Sequence, residues 1–159
     1  MNAGRWFEVD EDVAAAVEHF GRSTELYAAG GFDAKDLSGY RARMALMHAM
    51  QSGHTSLEQA LVRILGLLGE EAPAGSDWQA DLIRRVSRGL PGRPAILPAE
   101  LAKAAGETRR FRHVAMRSYG TFDLALSGPA VSAARVLADG MPAAIAAFKA
   151  AIDPTSGAA

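Results

Sequence analysis

The sequence contains no cysteine, which excludes disulfides, zinc sites built on thiolates and cysteine nucleophiles. No stretch follows GxGxxG or GxxxxGK[ST], so no glycine-rich loop is present to cradle a phosphate, and the HExxH and serine-nucleophile signatures are missing too. No Asn-Gly pair marks a hairpin, and no segment alternates apolar and polar residues with the period of a strand. No apolar run approaches the ~18 residues of a membrane span. The acidic opening MNAGRWFEVDEDV is unlike a signal peptide. The expectation is a cytoplasmic protein with no membrane segment, no metal site and no cofactor.

What is present is helical. With 49% hydrophobic residues in 159, the chain can bury a real core in one domain, placed at residues 1–153 with a disordered tail at 154–159. A first helix is predicted from about Asp10 to Ala29, with Val13, Val17, Phe20, Thr24 and Tyr27 as its stripe and Gly30-Gly31 as its stop. From Asp33 to about Gly69 the pattern stays helical. One helix of about 35 residues would run about 50 Å, with Gly53 as the place for a bend. Trp78 to about Arg88 forms a shorter helix, and GLPGRP (89–94) breaks the chain. Pro98 opens the next helix, which carries Leu101, Ala104, Thr108, Phe111 and Ala115 inward. After a turn at Ser127-Gly128-Pro129 a last helix runs to about Ile152, interrupted near Gly140 and Pro142. The fold class is all-α: an antiparallel bundle of five or six helices with a long second helix.

The net charge of −1 conceals a separation. Arg84 to Arg117 holds eight Arg and one Lys against Glu100 and Glu107, a local +7 that leaves −8 elsewhere. A basic segment of this kind attracts an anionic ligand such as a nucleic-acid backbone. A solvated helix face, or a surface that meets an acidic protein, explains it equally well.

The densest part of that segment is ETRRFRHVAMRSY, residues 107–119. On a helical wheel Arg109, His113 and Arg117 follow one another at successive turns. Arg112 and Tyr119 lie on an adjoining line, and Phe111, Val114 and Ala115 fall on the opposite side, where a core would take them. Arginine offers planar, bidentate donors to phosphate oxygens and stabilises charge on a transferring phosphoryl group. Metal-free RNA cleavage also needs a proton acceptor for the ribose 2′-OH, a role that suits histidine. A tyrosine can hydrogen-bond a phosphate or stack on a base. RNA-binding candidates are therefore Arg109, Arg110 and His113.

These residues resemble the HepT-like toxins of bacterial MNT–HepT toxin–antitoxin modules, within the HEPN superfamily of all-α ribonucleases. That group carries an arginine, a short spacer and a histidine continued as His-x-Tyr, in a neighbourhood reading FRH…HxY. Here Phe111-Arg112-His113 is followed by Arg117-Ser118-Tyr119. The long second helix and the closing helix ending AAFKAAID match the family's layout as well. The resemblance implies a metal-independent endoribonuclease that homodimerises so that two motif helices line one cleft. It also implies a cognate MNT-like nucleotidyltransferase antitoxin, able to adenylylate the motif tyrosine, which corresponds to Tyr119. By the same resemblance Arg112 is the motif arginine, and Arg112, Arg117 and Tyr119 occupy the catalytic positions.

The departure is at Arg117, which stands where the family has histidine. An arginine stays protonated at any ordinary pH and cannot act as a general base. Three explanations stand: a catalytically dead relative that still binds RNA or its partner, loss of the histidine because an active toxin harms its expression host, or takeover by His113. The rival from another class is a non-catalytic helical substrate-binding or regulatory partner of a nucleotidyltransferase. A plain interaction bundle docking its basic helix on an acidic protein is a third. The Arg-x4-His spacing recurs at Arg43–His48, without the following tyrosine or basic neighbours.

Overall fold

The computed structural model describes residues 3–117 and 124–154. Five helices form it: α1 (Ala3–Ala29), α2 (Leu37–Leu67), α3 (Trp78–Val86), α4 (Ala99–Arg117) and α5 (Leu124–Ile152). Among the described residues there is no strand, only one isolated bridge between Leu90 and Arg93. The all-α bundle with a long second helix is borne out. The tail at 155–159 lies outside the described residues.

α1 begins a full two turns before the expected start. Trp6 and Val9 are completely buried and extend the line through Val13, Ala16 and Phe20, so apolar burial outweighs the capping signal at Asp10. α2 is continuous. Its start is fixed by Asp36, whose side chain accepts the Gly39 amide at 3.2 Å. Gly53 marks a close approach in place of a bend: a Cβ there would meet the Phe20 ring at 2.5 Å. In α5, Ser127-Gly128-Pro129 is no turn. It lies inside the helix, as does Pro142. Gly140 similarly admits the Leu101 side chain of α4, which a Cβ would meet at 2.8 Å.

Residue pairs give the helix directions. Glu8 and Asp12 reach Arg63, Phe20 meets Gly53 and His19 meets His48, so α1 and α2 are antiparallel. Trp6 lies under the Lys149 ammonium, and Tyr27 lies beside Gly128, so α1 and α5 are antiparallel too. α2 and α4 run in the same sense where they touch, since His54 meets Thr108 and Glu58 meets Arg112. Buried Arg93 fastens the connection between them: its Nε donates to Glu70 Oε2 at 2.6 Å and its Nη1 to the Arg88 and Pro94 carbonyls at 3.0 Å each.

α5 is long and apolar enough to cross a membrane by length and composition, contrary to the expectation that no stretch approaches that limit. It packs on α1 and α4 and buries Ala130, Ala134, Leu137, Met141, Ile145 and Phe148 in the shared core. That packing buries 39% of its most apolar stretch.

Candidate nucleic-acid site

Arg112 does not stand with the other arginines of its helix. The buried line of α4 runs Leu101, Ala104, Ala105 and Thr108, and Arg112 is one turn further along it. That register turns Arg112 towards α2, where its Nη1 donates to Glu58 Oε1. The Arg112 side chain is 21% exposed and that of Glu58 8%. Arg112 also lines a depression of about 400 Å³ together with Gln51, Ser52, Thr55 and Ser56 of α2. An arginine tethered at one nitrogen and, among the described residues, without a partner at the others, beside hydroxyl and amide groups, suits an anionic, hydrogen-bonding ligand.

Behind this pair lies a second one. His54, one turn before Glu58, is fully buried, with its Nδ1 2.8 Å from the Thr108 hydroxyl. Its Nε2 faces Glu58 Oε2 at 3.5 Å. The Thr108 hydroxyl is also 3.2 Å from the Ala105 carbonyl. Burial pushes the Glu58 carboxyl up, but the contacts with His54 and Arg112 outweigh it and hold the group below the ordinary glutamate value. Neither His54 nor Glu58 was a site candidate from sequence. The available signal was a histidine and a glutamate four apart within the apolar line Met50, Leu57, Leu61 and Leu65, where polar residues need a partner.

The remaining candidates are dispersed. Arg110 is exposed and pairs with Glu107. His113 is exposed, one turn from half-buried Arg109, and Arg109 forms no ion pair with a described residue. Arg117 ends α4; its side chain and Tyr119 lie outside the described residues. Phe111 packs against the core as expected, but Val114 is 43% exposed and belongs to the surface. Much of the basic segment is locally neutralised, since Arg84 pairs with Asp81 and both Arg85 and Arg93 pair with Glu70. The charge separation of the sequence is thus smaller in space.

The second Arg-x4-His pair is structural. Arg43 Nη1 donates to the Phe32 and Ala34 carbonyls at 2.6 and 3.0 Å and holds the α1–α2 connection. His48 packs edge-on against the His19 ring, with centroids 6.0 Å apart. Among the described residues no three His, Asp or Glu side chains gather to hold a metal.

The sequence profile described as HepT-like protein matches residues 45–152, two-thirds of the chain. The chain belongs to the HepT-like family. The match takes in both partners of the Glu58–Arg112 pair and the whole of α3 and α4. Within this HepT-like chain, α1 and the first turns of α2 lie outside the matched span. No curated protein and no solved structure matches it.

Proposed function

We propose that this HepT-like chain is the toxin-side component of a bacterial toxin–antitoxin pair and that its ligand is RNA, held by a phosphate at Arg112. The observation that carries the reading is the Glu58–Arg112 pair beside the Gln51–Ser56 depression. It presents a partly exposed guanidinium among hydrogen-bonding groups, as a phosphodiester requires. Arg109 and His113 lie beside Arg112 on the same helix, and Arg110 lies on its far side.

Cleavage is a separate matter from binding. Arg117 holds the position of the family's general base and cannot take a proton. His54 and Glu58 are too buried to replace it, being 1% and 6% exposed. His113 is exposed and is the one described histidine on α4. On this reading the chain as written binds RNA and does not cut it, and Arg117→His restores a metal-independent endoribonuclease.

A homodimer fits the surface of α2. Leu37, Tyr40 and Met44 form an exposed apolar stripe, 60%, 56% and 37% exposed, that continues along the helix towards Gln51 and the Arg112 depression. A second copy on that stripe would bring two Arg112 side chains to one cleft. The cognate partner in this reading is an MNT-like nucleotidyltransferase antitoxin that adenylylates Tyr119, acting in the cytoplasm. The second reading, a non-catalytic partner subunit of a nucleotidyltransferase, draws on Arg117 alone.

The deciding experiment compares RNA binding and cleavage by the chain as written, by Arg117→His and by Arg112→Ala. Binding that Arg112→Ala abolishes, with cleavage only in Arg117→His, bears the proposal out. Absence of RNA binding in all three sinks it and favours the partner-subunit reading.

A further inference from the structure

We infer that His54, anchored by Thr108, is a positioning residue that restrains Glu58 to a one-oxygen contact with Arg112 and so keeps the rest of the guanidinium available to a phosphate group. The inference rests on the reading of Arg112 as the phosphate-holding residue. It concerns what holds that arginine ready.

A carboxylate left alone with an arginine closes on it with both oxygens, in parallel N–H···O bonds. Glu70 shows the tendency within this chain, since its two oxygens engage Arg93 at 2.6 and 3.1 Å. Glu58 behaves differently. Its Oε1 meets Arg112, while its Oε2 is turned away to face His54 Nε2 at 3.5 Å. Both facing atoms are buried, and among the described residues neither makes a hydrogen bond, so each has only the other, 3.5 Å away, to answer it. A buried carboxylate oxygen opposite a bare ring nitrogen would set two lone pairs against each other, so the arrangement requires the N–H on Nε2. Thr108 meets that requirement when its one hydroxyl proton goes to Nδ1 at 2.8 Å in place of the longer 3.2 Å bond to the Ala105 carbonyl. The imidazole is therefore held at Nδ1 by Thr108, and its Nε2, facing Oε2, restrains the rotation of the Glu58 carboxylate.

The consequence lies in what Arg112 has left to offer. With one nitrogen on Glu58 and no other partner among the described residues, its remaining N–H groups are left for the depression lined by Ser52, Thr55 and Ser56. A two-oxygen grip would occupy a second donor and neutralise the guanidinium more completely.

Inorganic phosphate is the probe, followed through the Arg112 side-chain N–H signals by NMR, with RNA kept for the separate question of function. The wild-type signals should respond to phosphate. In His54→Leu they should move before any phosphate is added, as Glu58 takes a second nitrogen, and phosphate affinity should fall about tenfold, the loss of roughly one charge-assisted hydrogen bond. His54→Gln, whose amide still donates to Glu58, should recover most of it. Thr108→Val should reproduce part of the effect and Thr108→Ser should not, which keeps the test intact if His54→Leu folds poorly. Arg112 signals that are identical in wild type, His54→Leu and Thr108→Val overturn the inference. So does a wild-type Arg112 that ignores phosphate. A failure of RNA to bind, with the phosphate and NMR results as expected, overturns the RNA assignment and leaves the positioning role standing.

Discussion

Arg112 and Glu58 are 54 positions apart in the chain, and Thr108 and His54 are separated by the same 54. The two contacts are therefore consecutive rungs between α2 and α4, one turn apart on both helices. Because the helices run the same way, a single register sets both rungs.

The first prediction follows from the burial of Glu58. Arg112→Ala leaves that carboxylate without its cation in an environment 8% exposed, so it should cost stability as well as ligand. Stranding one partner of a buried pair costs about 3–5 kcal/mol, and partial exposure of Arg112 places the expected loss at the lower end. Urea unfolding checks the value. Arg112→Ala/Glu58→Gln should recover part of it, since the orphan charge is gone.

Acid should act on the same pair. The folded value of Glu58 lies below the ordinary glutamate value, so the ionised form is favoured by folding. Its contribution is fully present above the unfolded value of about 4.3 and is lost as pH falls through the folded one. The stability margin of wild type over Glu58→Gln should be constant near neutrality and shrink below about pH 4. A margin that widens on acidification would contradict the direction of the shift.

Gly53 offers a test of the α1–α2 contact. A methyl group there meets the Phe20 ring, which is itself fully buried and has no room to yield. Gly53→Ala should destabilise by about 1–3 kcal/mol through overpacking, although alanine favours the helix itself by about 1 kcal/mol. Gly66, with open space around it, is the control, and Gly66→Ala should be neutral or stabilising. The melting temperature should fall for Gly53→Ala and hold or rise for Gly66→Ala.

Arg93 should prove structural despite lying in the basic segment. Its side chain is 5% exposed and is spent on Glu70 and on backbone carbonyls. Arg93→Met should lower stability by about 3 kcal/mol. Once the fold is restored by lower temperature, RNA binding should be unchanged.

Salt dependence should distinguish Arg109 from Arg110. Arg110 is paired with Glu107, whereas Arg109 has no described acidic partner. Arg109→Ala should reduce the slope of log affinity against log salt by about one, and Arg110→Ala by less.

How much of this was legible in the sequence depends on the kind of signal. Helix type and order could be read from periodicity, because apolar residues at helical spacing have no other way to be buried together. Helix ends were harder where a capping signal competed with burial: Asp10 looks like a start, yet Trp6 and Val9 carry α1 past it. Glycine and proline misled in the same manner. Gly53 and Gly140 make room for Phe20 and Leu101, and Pro129 lies within α5, so none of them breaks its helix. At the site, Arg112 was legible by motif but not its direction. Counting arginines placed it on the polar face, whereas its position after Leu101, Ala105 and Thr108 placed it on the buried line. His54 and Glu58 were invisible as a functional pair because their partners lie on another helix, and one-dimensional spacing does not show which helices touch.

The contact of Phe20 with Gly53 bears on how little of this domain can be removed. α1 lies wholly before residue 45, where the family match begins, yet it supplies Trp6, Val9, Val13, Ala16 and Phe20 to the common interior. Cut away α1, and the wall of α2 that Phe20 closes is left facing water, on the very helix that carries His54 and Glu58. The segment that names the family is therefore not autonomous. Its buried His54 and Glu58 are backed by a helix that bears none of its motif.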